Sequence, residues 1–247
     1  MLPVLQIGPV GIPVPAFSLL LGVWLGLSLA ERHAPRFGVD GNRLFSLALT
    51  ALLSGLAGAR LAYAARYSRA FIEAPLNLLS PRPELLDPWG GLAAGLIGAL
   101  IYAQRKEMRL WPTLNALTPA FAVFAVALGI SHLASGDAFG APTAVPWAIE
   151  LWGARRHPTQ IYETLLALLI LAACWPAGPL GRRLDYFLIF TAASALARIF
   201  IEAFRGDSVL VFSGFRLAQL AAWLVLAASL WLMGRRFQKG PHHEPAS

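Results

Sequence analysis

Long apolar runs cut by short polar stretches constrain this chain more than any other feature. They fall at Pro15–Ala30, Leu44–Ala65, Trp89–Gln104, Pro112–Ser135, Ile161–Trp175, Leu184–Phe204 and Phe215–Met233. A helix needs about 20 apolar residues to cross a bilayer, and several of these runs are shorter, at 15 to 17. Charged residues make up 13% of the 247 residues, against about a quarter in soluble domains, too few to solvate a surface of this size. The pattern predicts an all-α, polytopic integral membrane protein with seven transmembrane helices. Residues 1–237 are expected to form one membrane domain, and residues 238–247 a short polar tail. No soluble domain and no internal repeat is visible.

Lys and Arg placement sets the expected topology, because cytoplasmic loops are enriched in both. With the N-terminus outside, the inner segments hold Arg32, Arg36, Arg43, Arg105, Lys106, Arg109, Arg182, Arg183, Arg235, Arg236 and Lys239, eleven in all. The outer segments hold seven: Arg66, Arg69, Arg82, Arg155, Arg156, Arg205 and Arg216. Residues 1–14 carry no charge, unlike the basic start of a signal peptide, so the first run is expected to be retained. The C-terminus is then cytoplasmic. The net charge of +7 sits in small clusters at the ends of runs, which points to anionic membrane lipids and not to nucleic acid. A single cysteine, Cys174, excludes a disulfide within the chain and reads as a packing residue. The adjacent His242 and His243 lack partner ligands at helical spacing, so no metal site and no cofactor is expected.

Polar side chains at the ends of the runs are the candidate site. His157-Pro158-Thr159-Gln160-Ile161-Tyr162-Glu163 places five hydrogen-bonding groups at the mouth of the fifth run. Such a cluster suits a helix N-terminus and equally a polar cavity at the membrane surface. Arg60, with Tyr63 after it, either snorkels to headgroups or grips a lipid phosphate bidentately. Arg198, Glu202 and Arg205 share one helical face. An Arg198–Glu202 pair would leave Arg205 facing a ligand with net positive charge. His132 and Asp137 are candidates for an acid–base pair. Gly55, Gly58, Gly90, Gly91, Gly95 and Gly98 predict close helix packing, and the Gly90–Gly91 N–H groups are candidate anion donors.

These residues, in this order, resemble the prolipoprotein diacylglyceryl transferase family. The resemblance is carried by Gln6-Ile7-Gly8-Pro9, by Gly58-Ala59-Arg60-Leu61-Ala62-Tyr63 and by Gly90-Gly91-Leu92. It continues through Gly136-Asp137-Ala138-Phe139-Gly140, Pro142-Thr143, Pro146-Trp147, the seven residues from His157, Arg198 to Arg205, and Gln219. It implies a transferase of the bacterial cytoplasmic (inner) membrane that moves the diacylglyceryl group of phosphatidylglycerol to the lipobox cysteine of precursor lipoproteins. Glycerol phosphate leaves. His132, Asp137 and Arg198 would then be catalytic. Arg60, Tyr63, Gly90, Gly91, His157, Gln160, Tyr162, Glu163, Glu202 and Arg205 would bind substrate.

The chain diverges from the family motif at identifiable points. Trp89 stands where the family has histidine before Gly-Gly-Leu. Gly129 stands at the signature's arginine, His132 and Ser135 at its two asparagines, and Asp137 at its glutamate. Ser194 replaces a tyrosine. His132 is the candidate replacement for the missing imidazole. Two alternatives are a paralogue moving a lipid group to another acceptor and a non-catalytic phospholipid-binding membrane protein.

Overall fold

The computed structural model describes residues 4–7, 10–80, 82–175, 185–211 and 214–238. Gly8, Pro9, Arg182, Arg183, Leu184, Lys239 and the paired histidines lie outside them. The chain is mostly helical: α1 (Val14–His33), α2 (Gly41–Arg66), α3 (Ser68–Glu73), α4 (Pro88–Arg105), α5 (Leu110–Ser135), α6 (Thr159–Ala173), α7 (Tyr186–Glu202) and α8 (Leu217–Gln238). Each expected run appears as a helix, with ends shifted by a few residues. Among the described residues, four helical segments are long and apolar enough to cross a membrane: Val14–Phe37, Gly41–Arg66, Leu110–Ser135 and Leu217–Gln238. Three short antiparallel hairpins add strands to the expected all-α fold: β1 (Val4–Ile7) with β2 (Val10–Pro13), β3 (Ile149–Leu151) with β4 (Ala154–Arg156), and β5 (Leu210–Val211) with β6 (Phe215–Arg216).

The contacts divide the chain into two compact units, Glu31–Ala116 and the remainder. In the unit Glu31–Ala116, α2 and α4 pack through the glycines. A Cβ at Gly58 would fall 2.1 Å from the Ala94 Cβ, at Gly95 3.0 Å from the Ala51 carbonyl oxygen, and at Gly98 2.2 Å from the Ser54 Oγ. Only bare backbones can come this close, which is how small residues hold membrane helices together. Asp caps start both helices. The Asp40 carboxylate accepts from the Asn42 N–H at 2.8 Å, and the Asp87 carboxylate from the Gly90 N–H at 2.6 Å.

In the other unit, α1 meets α5 where a Gly22 Cβ would lie 2.3 Å from the Ala127 Cβ and a Gly26 Cβ 2.9 Å from the Ala120 carbonyl oxygen. Phe121 of α5 packs on Phe187 and Phe190 of α7, with ring centroids 6.1 and 6.2 Å apart. Helices α7 and α8 are joined by Thr191 Oγ1 and Ser229 Oγ at 3.0 Å and by Gln219 Nε2 donating to the Ile199 carbonyl at 3.3 Å. Interhelical hydroxyl and amide bonds of this kind spare polar atoms a contact with hydrocarbon.

Candidate active site

The connection between α5 and α6 builds the site from backbone. Gly136 (φ 84°) and Ala138 (φ 56°) turn the chain off α5 in the left-handed region. That region is disfavoured for a residue with a Cβ, and Ala138 is held there from both sides: its carbonyl accepts from Thr159 Oγ1 at 2.6 Å, and that of Asp137 from Gln160 Nε2 at 2.9 Å. The buried Thr159 and Gln160 therefore dock the first turn of α6 on this loop.

Gly140 is the crossing point. A Cβ there would fall 2.2 Å from the His157 carbonyl oxygen, and a Cβ at Gly206 2.7 Å from the Gly140 carbonyl oxygen. Flanking bonds tie the crossing, with Ala141 N–H donating to the Phe204 carbonyl (2.7 Å), Gly206 N–H to Phe139 (2.9 Å) and His157 N–H to Ala141 (3.1 Å). The hairpin β3–β4 rises from it through a two-residue turn, Trp152 (φ 54°) and Gly153 (φ 71°), the backbone signature that matches strand twist in tight hairpins. The Trp152 indole donates to the Gly136 carbonyl at 3.1 Å. Arg156 donates to the Leu151 and Gly140 carbonyls at 3.0 and 3.2 Å and lies 4.9 Å over the Phe139 ring.

The ionisable groups of this unit then meet at the ends of three helices. His132 Nδ1 of α5 lies 2.8 Å from Glu163 Oε2 of α6, with both side chains mostly buried. The carboxylate partner of His132 is thus Glu163, and the expected pairing with Asp137 is not the one formed; Asp137 is exposed and contributes its carbonyl. On α7, Arg198 Nε lies 3.2 Å from Glu202 Oε2, as helical spacing predicts. Arg205 departs from expectation, because Asp207 neutralises it through two parallel bonds, Nε to Oδ1 at 2.8 Å and Nη2 to Oδ2 at 2.7 Å.

Burial works against the charge on Arg205. The hydrogen bonds to Asp207 and the negative charges of Asp207, Glu202 and Glu163 outweigh it and raise the guanidinium above its ordinary value. Those fields link Arg205 to both carboxylate pairs. Arg216, from β6, closes the turn by donating to the Arg205 carbonyl at 3.1 Å.

An aromatic wall stands beside the charges. His157 meets Phe204 edge-on at 5.1 Å, Tyr162 meets Phe204 at 6.0 Å, and the Trp147 indole donates to the Tyr162 hydroxyl at 2.7 Å. His157 Nδ1, Gln160 Oε1 and Glu202 Oε2 are buried without a hydrogen-bond partner among the described residues. Arg198 approaches Glu202 Oε2 in distance but not in hydrogen-bond direction. Buried polar atoms of this kind are rare in structural cores and recur where a polar ligand or water bonds.

The candidates on Glu31–Ala116 have chain partners of their own. Arg60 donates through Nη1 to the Leu85 carbonyl at 3.1 Å and through Nη2 to the carbonyls of Ser80 and, at 3.4 Å, Arg82. It secures the connection from α3 to α4. Tyr63 packs tilted on Tyr67 and edge-on against Phe71, with centroids 4.6 and 6.2 Å away. The N–H of Gly90 is taken by the Asp87 carboxylate and that of Gly91 by the Asp87 carbonyl, so the anion at this helix start is the chain's own. Sequence reasoning missed Asp207, Arg156 and Arg216. A carboxylate two residues after Arg205 is a readable signal; in sequence Arg156 and Arg216 show only as topology charges.

Three sequence relatives and one family model bear on this geometry. A model described as prolipoprotein diacylglyceryl transferase matches residues 3–235. The phosphatidylglycerol–prolipoprotein diacylglyceryl transferase of Synechococcus elongatus is 27% identical over 250 residues, covering 93% of this chain and 86% of that one. Transferase 2 of the same description from Streptomyces coelicolor is 30% identical over 247 residues, covering 92% of this chain and 76% of its own. That of Enterococcus faecalis is 26% identical over 238 residues, covering 89% and 85%.

Proposed function

The chain belongs to the prolipoprotein diacylglyceryl transferase family, and from that membership we propose that it moves the diacylglyceryl group of phosphatidylglycerol to the lipobox cysteine of precursor lipoproteins. The sulfur attacks the glyceryl carbon that carries the phosphate. The carbon–oxygen bond breaks, glycerol phosphate departs, and the thiol proton goes to a base on the protein. The thiolate is the nucleophile, so a base must act before or during attack.

His132 is that base. Its Nδ1 lies 2.8 Å from the Glu163 carboxylate; in the neutral ring a proton on Nδ1 faces that carboxylate, and Nε2 is then the nitrogen that takes the thiol's proton. Glu163 then stabilises the imidazolium. This pair is the observation that carries the reading, because it supplies an imidazole in a chain that has Trp89 in place of the family's histidine. Arg198 and Arg205 hold the phosphate and stabilise charge on the departing group. Arg205 has its Nε and Nη2 on Asp207, and its Nη1 has no acceptor among the described residues. His157, Gln160, Tyr162 and Glu202 line the substrate side, and Asp137 holds the α6 start through its carbonyl. Arg60 with Tyr63 and the Gly90–Gly91 pair support binding by shaping the α2–α4 region.

In this reading residues 1–237 form one domain of seven spans in the bacterial inner membrane, with the N-terminus outside and the tail cytoplasmic. Helices α4, α6 and α7 have 18, 15 and 17 residues. At about 1.5 Å per residue they reach about 27, 23 and 26 Å, short of a hydrocarbon core of about 30 Å. Short spans thin the bilayer around them, which favours sideways entry of a lipid.

Complementation tests the proposal. A strain depleted of its own transferase should grow when supplied with this chain, and not when supplied with His132→Ala. Failure of the wild-type chain to complement, with no glycerol phosphate released from labelled phosphatidylglycerol and a lipobox peptide, would overturn it.

A further inference from the structure

We propose that the crevice between the α1–α2 turn and the α4–α5 turn binds a phosphate-bearing anion at the level of lipid headgroups. The crevice has a volume of 270 Å³ and is walled by residues 37–40 with Arg43 on one side and by residues 106–109 with Pro112 and Thr113 on the other. All of them belong to the unit Glu31–Ala116, and His132 and Glu163 belong to the other unit.

Position gives the first argument. Three membrane-length apolar segments have an end here: Val14–Phe37 finishes at the crevice, while Gly41–Arg66 and Leu110–Ser135 start at it. The ends of spanning helices lie where headgroup phosphates lie.

Charge gives the second. Arg43, Lys106 and Arg109 line the crevice, and Arg32, Arg36 and Arg105 lie on the same two turns. Cations placed only to set topology can point anywhere into water. Here three of them, from stretches more than sixty residues apart in sequence, converge on one concavity. Lys106 and Arg109 make no ion pair among the described residues. Arg43 approaches Asp40 only to 3.8 Å, with side chains 59% and 53% exposed, a contact that water weakens and a ligand readily displaces.

The carboxylates do not cancel this. Asp40 already serves the Asn42 N–H at 2.8 Å, and the start of α2 itself favours a negative ligand. Glu107 in the lining, and Glu31 beside Gly41, remain as opposing charges without a partner among the described residues, against six cations on the same turns. Phe37, Met108 and Pro112 supply an apolar wall suited to the carbon skeleton attached to a phosphate. The shared chemistry is a phosphate oxyanion on a small organic group, from a membrane lipid or free in solution.

The test uses the full chain purified in detergent. Dioleoyl phosphatidic acid and, separately, inorganic phosphate are titrated against the wild type and against Arg43→Gln/Lys106→Gln/Arg109→Gln. Each cation near a membrane surface contributes about fivefold in affinity for anionic lipid, so the triple variant should lose about a hundredfold in one bound lipid, counted by native mass spectrometry. The charge-keeping variant Arg43→Lys/Lys106→Arg/Arg109→Lys should stay within a few fold of wild type, which separates lost charge from lost folding. If the neutral triple variant does not fold, Lys106→Gln alone should lose about fivefold. Displacement of the lipid by inorganic phosphate identifies a free anion as a ligand, and retention identifies the headgroup; both support the site. Equal binding of lipid and of phosphate by wild type and neutral variants would overturn it.

Discussion

The His132–Glu163 pair makes a prediction that a double-mutant cycle can break. Glu163→Gln keeps the side-chain shape and a carbonyl to accept the Nδ1–H. It removes the negative charge that stabilises the imidazolium formed when the thiol gives up its proton. A hydrogen bond to a charged group contributes about 1.5–3 kcal/mol, against about 0.5–1.5 for a neutral one. The two side chains are only 22% and 16% exposed, so solvent screening takes little from that difference. A loss of about 1.5 kcal/mol slows the reaction about tenfold. Glu163→Ala also frees the ring to rotate and should cost about a hundredfold. His132→Ala removes the base and should cost about a hundred- to ten-thousandfold.

The decisive measurement is Glu163→Ala in the His132→Ala background. If Glu163 acts through His132, the second substitution costs almost nothing further. The assay is release of labelled glycerol phosphate by purified protein with a lipobox peptide, following kcat and KM separately; the loss should fall on kcat. Losses that multiply would show that Glu163 works through Arg205, whose charge it also supports. That result, or a His132→Ala protein within twofold of wild type, would refute the reasoning.

Other predictions follow from single contacts. Restoring the family's arginine with Gly129→Arg should not raise activity but should lower thermal stability, because even a Cβ there would sit 2.5 Å from Thr164 Oγ1 and 3.1 Å from the Thr164 backbone nitrogen; a gain in activity would contradict the packing of α5 on α6. Asp87→Ala should cost about 1 kcal/mol, read as a lower melting midpoint, by stripping the acceptor from the Gly90 N–H. Arg60→Ala should make the segment from Ser80 to Leu85 more sensitive to added protease, since three carbonyls lose their donor. Arg205 should bring no pH dependence to stability across the working range: its folded-state value is raised, so its contribution is present below that value and is lost only as pH rises through it, in strong alkali; a thermal midpoint that drops between pH 6 and 9 in wild type but not in Asp207→Asn would contradict this.

The helical skeleton was legible because hydrocarbon imposes it. A run such as Phe215–Met233 has few ways to satisfy its backbone in a bilayer except as a helix, and it appears as Leu217–Gln238. The glycines of α2 and α4 were equally readable, since small residues at i, i+3 and i, i+4 spacing have one common use in such helices. The Arg198–Glu202 pair followed from helical spacing alone. The partner of His132 was not legible. Glu163 lies 31 residues away on another helix, and Asp137 was simply nearer in sequence. The hairpins were missed because β3–β4 and β5–β6 are two or three residues per strand, too short to display a period. The acceptors of Arg60 are hidden from sequence for a related reason, because they are main-chain carbonyls that no side-chain pattern announces.

The crossing at Gly140 has a consequence for how this scaffold can change. Residues 140, 157 and 206 are pinned backbone to backbone, while the stretch between 142 and 156 leaves that pin and comes back to it as an out-and-back excursion. Lengthening or exchanging the excursion's tip at Trp152–Gly153 need not disturb the register of α6 or of the turn after α7. Alteration by a single methyl at the pin itself would shift all three segments together. Diversity in what the exposed tip touches, and constancy in where His157 and Arg205 stand, can therefore be inherited separately.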